Sequence, residues 1–215
     1  REQHLNYEFK YFSDLEEQDK FINEHFDEIK NLIKLFFINL DKTNLIDSII
    51  DFNRKNNLFC ILVNNIVIAI AFVRNDDVVV YRNIDVDDNL YIPINKNKIY
   101  VSNTDVATTI SPVIETLIRN TDHKYKNIGA YLLNKICDHF KNTHKIIYLI
   151  PESTRYKHIG TNPCDITNTN KYKESNNKLI EYYKNQGFSI ENKYYIDVCN
   201  NDTFLIYNVM SKILN

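Results

Sequence analysis

The stretch Pro112-Val-Ile-Glu-Thr-Leu-Ile-Arg-Asn-Thr-Asp-His-Lys-Tyr-Lys-Asn-Ile-Gly-Ala-Tyr-Leu-Leu133 decides how this chain is read. Its opening, Pro112 to Ile118, is apolar and β-branched and is entered by proline, which suits the first residue of a strand and not its middle. A polar loop then runs to Gly129. From Ala130 to Asn142, Leu132, Leu133, Ile136 and Phe140 recur on one side of a 3.6-residue repeat, an amphipathic helix. Lys145-Ile-Ile-Tyr-Leu-Ile150 follows as a short buried strand stopped by Pro151. Strand, helix and strand at this spacing predict a parallel βαβ unit.

Working outward, residues 14 to 56 read as two or three helices. Leu32, Ile33, Phe36, Phe37 and Leu40 keep helical spacing, and Leu45, Ile49, Ile50 and Phe52 keep it more loosely. Leu58 to Val63 and Ile66 to Val73 are strands joined by Asn64-Asn65, two residues that tolerate positive φ in a tight hairpin. Val78-Val-Val-Tyr81 is expected to extend that antiparallel sheet. Residues 83 to 105 alternate polar clusters with strand-like pieces such as Lys98-Ile-Tyr-Val101. Residues 152 to 175 are polar and too long for a routine connection, so a disordered segment or a functional lid is expected. A helix from Asn176 to Gln186 ends at Gly187, a C-cap position, and strands at Ile190 to Val198 and Thr203 to Val209 close the chain. The prediction is one α/β domain over 1–215, with a mostly antiparallel mixed sheet, one central parallel βαβ unit and helices on both faces. Its parts are a helical region 1–57, a central sheet 58–150, an insert 152–175 and a C-terminal helix with strands over 176–215.

Composition excludes several classes. The chain has 215 residues, 44% hydrophobic and 25% charged, enough for one domain with a core. A net charge of -2 with Lys scattered among Asp and Glu leaves no basic stripe, so no nucleic-acid partner is expected. No apolar run approaches the roughly 20 residues of a membrane span. The polar start shows no signal peptide, and Cys60, Cys137, Cys164 and Cys199 form no CxxC pair, which together point to reduced thiols in the cytoplasm. Cys137, His139 and His144 do not share a helix face at ligand spacing, so no metal is expected. An opening Arg1 suggests a domain of a larger parent chain. The skew toward Asn, Ile, Lys and Tyr suggests an AT-rich genome. It leaves only three glycines, Gly129, Gly160 and Gly187, each expected where the backbone needs one.

Three segments can carry chemistry. In Asp122 to Gly129, successive backbone N–H groups can converge on an anion at the positive end of the next helix, with charge added by Lys124 and Lys126. Gly129 permits close approach and Asn127 tolerates a left-handed backbone, so a pyrophosphate is the natural guest. Taken alone, that segment reads more readily as an ordinary turn with solvated lysines. Glu115 lies on the strand feeding this loop, with Val113 and Leu117 on its side and residues 114, 116 and 118 opposite. It suits a general base near a cleft, or an edge carboxylate in solvent. Tyr182 and Tyr183, on the later helix, suit packing or a phenol directed at a leaving thiolate.

Taken in order, these segments resemble the GNAT family of acetyl-CoA-dependent N-acetyltransferases. The stretch 114–133 is similar to that family's cofactor motif, a strand, a spacer and then (Arg/Gln)-x-x-Gly-x-(Gly/Ala). Lys124 stands at the Arg/Gln position, Asn127 at the first glycine and Gly129 at the second. Asn176, Leu179, Tyr183, Gly187 and Phe188 match Asn-x-x-Ala-x-x-x-Tyr-x-x-x-Gly-Phe in spacing, with Leu at the Ala position. Arg119 replaces the usual apolar residue at the strand's end. The resemblance implies that the backbone of Leu117, Ile118 and Arg119 pairs with the pantetheine arm of acetyl-CoA. Lys124, Tyr125, Lys126, Asn127, Ile128, Gly129 and Ala130 would cradle the pyrophosphate, with Asn176 and Tyr183 also at the cofactor. Glu115 would deprotonate the acceptor amine, directly or through water, and Tyr183 would protonate the departing thiolate. A backbone N–H near residue 118 would stabilise the oxyanion. A small amine such as an amino sugar is the expected acceptor. A protein α-amine or lysine, and a domain that binds acyl-CoA without catalysis, stay open as alternatives.

Overall fold

Two asparagines turn the chain between β-strands near one edge of its sheet. Asn64 and Asn65 take φ of 49° and 63°, the paired left-handed conformation of a two-residue hairpin whose twist matches its strands. The computed structural model describes residues 5–35, 45–74, 78–82, 94–95, 106–109, 111–152, 170–200 and 203–215. Their strands are β1 (Glu8–Tyr11), β2 (Asn57–Val63), β3 (Ile66–Arg74), β4 (Val78–Tyr81), β5 (Ile94–Asn95), β6 (Val106–Thr109), β7 (Val113–Arg119), β8 (Ile146–Leu149), β9 (Ser189–Asn200) and β10 (Thr203–Ile213). The helices are α1 (Leu15–Glu24), α2 (Phe26–Lys34), α3 (Ile46–Asn53), α4 (Ile128–Phe140) and α5 (Asn170–Asn185).

One mixed sheet runs in the order β1-β2-β3-β7-β8-β10-β9-β4-β6, with β5 against β10. Among the described pairings only β7 and β8 are parallel, the two ends of the βαβ unit that crosses through α4. Alternation along β2 and β3 divides the core between two faces. Phe59, Ile61, Ala69 and Ala71 pack toward Leu132, Leu133 and Ile136 of α4 and Ile180 of α5. Leu58, Cys60, Leu62, Ile70 and Phe72 pack toward Ile22 of α1, Ile29 and Leu32 of α2, and Ile46 and Ile50 of α3. Helices therefore cover both faces, as the apolar patterns require. Gln18 of α1 is a buried polar residue in this layer. Its amide donates to the carbonyls of Arg54 and Asn56 at 3.3 and 2.7 Å and accepts from the Leu58 N–H at 2.8 Å, tying α1 to the start of β2.

Several expectations need correction. Val78–Tyr81 does join the sheet with antiparallel partners, but at its far end against β6 and β9 and not beside the hairpin, because β7 takes the place next to β3. The last helix begins at Asn170, six residues before Asn176, so the end of the 152–175 insert is helical and the remainder, 153–169, lies outside the described residues. Phe36, Phe37, Leu40 and the Lys98–Val101 piece lie outside them as well. Phe52 is exposed beneath Lys55, whose Nζ sits 4.8 Å from its ring, rather than packed with Ile50. β1 carries no signal strong enough to predict; four residues of mixed polarity pair with β2 at the edge. No described helix is long and apolar enough to cross a membrane.

Candidate active site

The site is organised by a fault in β7. Thr116 pairs with Phe72 and Ile114 with Val73, so Glu115 is an extra residue with no partner of its own on β3, a β-bulge. The bulge resets the alternation. Leu117 packs with the cluster that contains Ile114, and Ile118 with the opposite one, so the expected sharing of one side by Val113, Glu115 and Leu117 is broken. It also coincides with the parting of the parallel strands. β7 and β8 pair at Val113–Tyr148 and Ile114–Leu149, and β8 then ends before Pro151. Beyond that point Thr116 to Arg119 pair with β3 on one side and with no described strand on the other. An open edge of this kind can accept an extended chain of amides.

At the bulge, Glu115 faces a cavity of ≈ 230 Å³ that it lines with Arg74, Val78, Ile114, Ile150, Glu152 and Tyr195. Arg74 Nε donates to Glu115 Oε2 at 2.7 Å, whereas its Nη2 stands 3.5 Å from Oε1. One oxygen is thus firmly held and the other is left with acceptor capacity toward the cavity. Across the cavity, Glu152 accepts from the Tyr207 hydroxyl at 3.2 Å. Arg74, Glu152 and Tyr195 were not read from the sequence; only Glu152, directly after the strand-ending Pro151, left a legible trace.

At the other end of the open edge lies a second cavity, of ≈ 440 Å³, at the N-terminus of α4. The loop before it is held by its own short bonds. Asn120 Oδ1 accepts from the Asp122 N–H at 2.9 Å, Asp122 Oδ1 from the Lys124 N–H at 3.1 Å, and the Asp122 carbonyl from the Tyr125 N–H at 3.0 Å. Asn127 then takes φ 57°, the left-handed turn for which the motif uses glycine, and its side chain makes no capping bond. The amides of Ile128, Gly129 and Ala130 open the helix, where no carbonyl four residues back is available inside it. The first turn carries no acidic residue to compete for them. A Cβ at Gly129 would lie 3.2 Å from Arg119 Cδ and 3.3 Å from the Tyr182 hydroxyl, so glycine keeps this cradle open.

The structure gathers Arg119, Tyr125, Lys126, Asn127, Ile128, Gly129 and Ala130 around this cavity, with Thr121, Asp122, His123, Tyr182 and Gln186 besides. Leu117 and Ile118 lie on the strand leading to it. Lys124 stands aside: its ammonium pairs with Asp122 at 3.7 Å and lies 5.0 Å from the Tyr125 ring centre. Asn176 is fully buried in α5. Tyr183 is 8% exposed and belongs to the buried cluster that includes Ile114, Leu149 and Phe188, and burial holds its hydroxyl proton far more tightly than usual. Tyr182, beside it, faces the α4 loop; burial raises its pKa while the Arg119 charge lowers it. The spacing of Tyr183, Gly187 and Phe188 has a mechanical basis. Phe188 N–H donates to the Tyr183 carbonyl and Gly187 N–H to the Lys184 carbonyl, both at 3.0 Å, with Gly187 at φ 90° and the two rings 5.9 Å apart. That is a Schellman helix end with its hydrophobic contact.

No known family profile matches this chain, and no curated protein matches it in sequence. Solved structures do match in shape. One assigned to the GNAT acetyltransferase family, from Desulfovibrio desulfuricans, aligns over 98% of this chain and 100% of its own at TM-score 0.51 and 10% identity. Aminoglycoside 6'-acetyltransferase type Ii aligns over 97% of both chains at TM-score 0.54 and 10% identity. A protein from Pyrococcus horikoshii OT3 aligns over 98% and 99% at TM-score 0.54 and 13% identity. The fold is that of the GNAT acetyltransferases. In this GNAT fold the bulged strand is β7 and its parting neighbour is β8. Among the described residues no group of His, Cys, Asp and Glu is placed to hold a metal ion.

Proposed function

We propose that the chain is an N-acetyltransferase that moves the acetyl group of acetyl-CoA to a primary amine. The observation that carries this reading is one strand, β7, whose open backbone edge joins a carboxylate-lined cavity at Glu115 to an amide-lined cavity at Gly129. Four strand residues separate these ends, about 13 Å, so a ligand with an anionic head and an extended amide arm fits between them. The αL backbone at Asn127 and the absent side chain at Gly129 suit a diphosphate on the first amides of α4. Bound acetyl-CoA supplies the activated acyl thioester.

The chain's own residues then have these tasks. Backbone groups of Leu117 to Arg119 pair with the pantetheine amides and fix the thioester beside the bulge. Glu115, through the oxygen that Arg74 leaves less engaged, takes a proton from the acceptor ammonium. The amine forms the new C–N bond as the C–S bond breaks, and a backbone N–H near Ile118 stabilises the charge on the carbonyl oxygen. Tyr183, the phenol that the resemblance places at the leaving group, gives its proton to the thiolate and regains one from the nitrogen as the amide forms. Asn176 anchors α5 at the cofactor.

The acceptor is a small amine, and an amino sugar is the favoured class. Glu115, shared with Arg74, and Glu152 leave one carboxylate in excess on this cavity, which suits a cationic acceptor, and a structure of the same fold is an aminoglycoside acetyltransferase. The test is release of free CoA, read with a thiol reagent, from acetyl-CoA and a panel of aminoglycosides, amino sugars and peptides. Amine-dependent release with the sugars supports this reading. Strict dependence on peptides moves the acceptor to the protein class. No release with any amine, together with no thermal shift on adding CoA, overturns the enzymatic reading.

A further inference from the structure

We propose that Arg119 is the side chain that grips the cofactor's diphosphate, in the role the cofactor motif would give to position 124. This rests on the acetyl-CoA reading above and names a residue that the motif does not predict. Of the loop's lysines, Lys126 lines the α4 cavity together with Arg119, whereas Lys124 does not. The Lys124 side chain is 59% exposed and its ammonium is engaged with Asp122 at 3.7 Å. Arg119 leaves the end of β7 and lays its stem on the first turn of α4, with Cδ 3.2 Å and Nε 3.7 Å from where a Cβ at Gly129 would stand. A side chain at 129 would make that stem give way by a few tenths of an ångström. Laid there, the stem carries the guanidinium to the mouth of the Ile128–Ala130 amides, and the Tyr182 hydroxyl reaches the same point from α5.

Three elements, β7, α4 and α5, thus converge there, and the convergence suits a phosphate. A guanidinium presents a planar fork that two phosphate oxygens can accept together, which a lysine ammonium cannot offer. The Tyr182 hydroxyl stays a donor, because its burial keeps the proton on. The apolar residue usual at the strand's end and the motif's own cation have in effect been exchanged. Lys124 now serves the loop and Arg119 serves the ligand.

Calorimetry on the full chain with CoA and with dephospho-CoA tests this, using Arg119→Met, Arg119→Lys and Lys124→Met. Arg119→Met is expected to weaken both ligands alike by about 10- to 100-fold, the scale of a lost charge-assisted contact. Its affinity should also fall less steeply with salt than that of the wild type. Arg119→Lys keeps charge and stem, folds in any case, and should fall between wild type and Arg119→Met. Lys124→Met should lose less than Arg119→Met. Arg119→Met or Arg119→Lys binding as tightly as wild type overturns the inference. So does a loss confined to CoA, which would place Arg119 at the 3′-phosphate, and so does a larger loss in Lys124→Met. Wild-type protein that binds no CoA overturns the cofactor reading itself, and this inference falls with it.

Discussion

Replacing Gly129 should move stability and binding in opposite directions. The residue sits in the first turn of α4, where its missing side chain lowers helix propensity by up to about 1 kcal/mol relative to a good helix former. The nearest atoms a Cβ there would meet are the Arg119 stem and the Tyr182 hydroxyl, at 3.2 and 3.3 Å, both parts of side chains that can shift by a few tenths of an ångström. Gly129→Gln and Gly129→Glu should therefore fold, and the Glu variant has the added benefit of a carboxylate at a helix N-terminus. For a diphosphate seated on the neighbouring amides the same carboxylate is a like charge. At roughly 5 Å and an effective dielectric near 20, each phosphate charge it meets costs about 3 kcal/mol. Halving that for a mouth open to solvent leaves Gly129→Glu binding at least about tenfold more weakly than its neutral isostere Gly129→Gln. The assay is calorimetry with CoA for wild type, Gly129→Gln and Gly129→Glu, with thermal midpoints measured alongside. The Gln variant reports the lost space, and the difference between the two variants reports the charge. A Glu variant that binds CoA as tightly as the Gln variant would refute the placement of the diphosphate.

Tyr183→Phe should lower turnover about tenfold or more while leaving CoA affinity within a factor of two, because the phenol's proton is lost and its ring contact with Phe188 is kept; initial rates and calorimetry on one preparation check both. Burial pushes the Cys60 thiol up to about 12 from an ordinary 9.0. Its contribution to stability is therefore complete below pH 9 and lost as pH rises toward 12, so urea midpoints should fall over that range and fall less in Cys60→Ala. Gln18→Leu removes three hydrogen bonds at a buried junction and should cost about 2–4 kcal/mol in urea unfolding, with α1 the part released.

The parts of this molecule legible in its sequence are those where local chemistry and tertiary structure agree. Asn64-Asn65 needs positive φ and takes it; the apolar faces of β2 and α4 have the right periods; Pro112 and Pro151 mark where β7 begins and where β8 has ended. Asn127 was readable for the same reason, since few residues tolerate its backbone. What could not be read depends on pairing between distant segments. β4 carries no sign that β7 will take the place beside β3. The bulge at Glu115 is a property of two strands together, and it moves Leu117 to the other face without changing a residue. Arg74 and Tyr195 reach the carboxylate cavity from β3 and β9, and Tyr182 reaches the α4 loop from α5, each over a long sequence separation. The Tyr183-Gly187-Phe188 spacing was legible as a motif, and its immediate physical cause is a helix end.

The account stands on a diphosphate at the opening of α4, and backbone amide NMR during a CoA titration addresses that directly. The N–H resonances of Ile128, Gly129 and Ala130 should shift downfield together and saturate with the same midpoint as those of Leu117 to Arg119. Saturable binding of CoA that leaves these six amides unmoved, with shifts gathered elsewhere on the sheet, would contradict it.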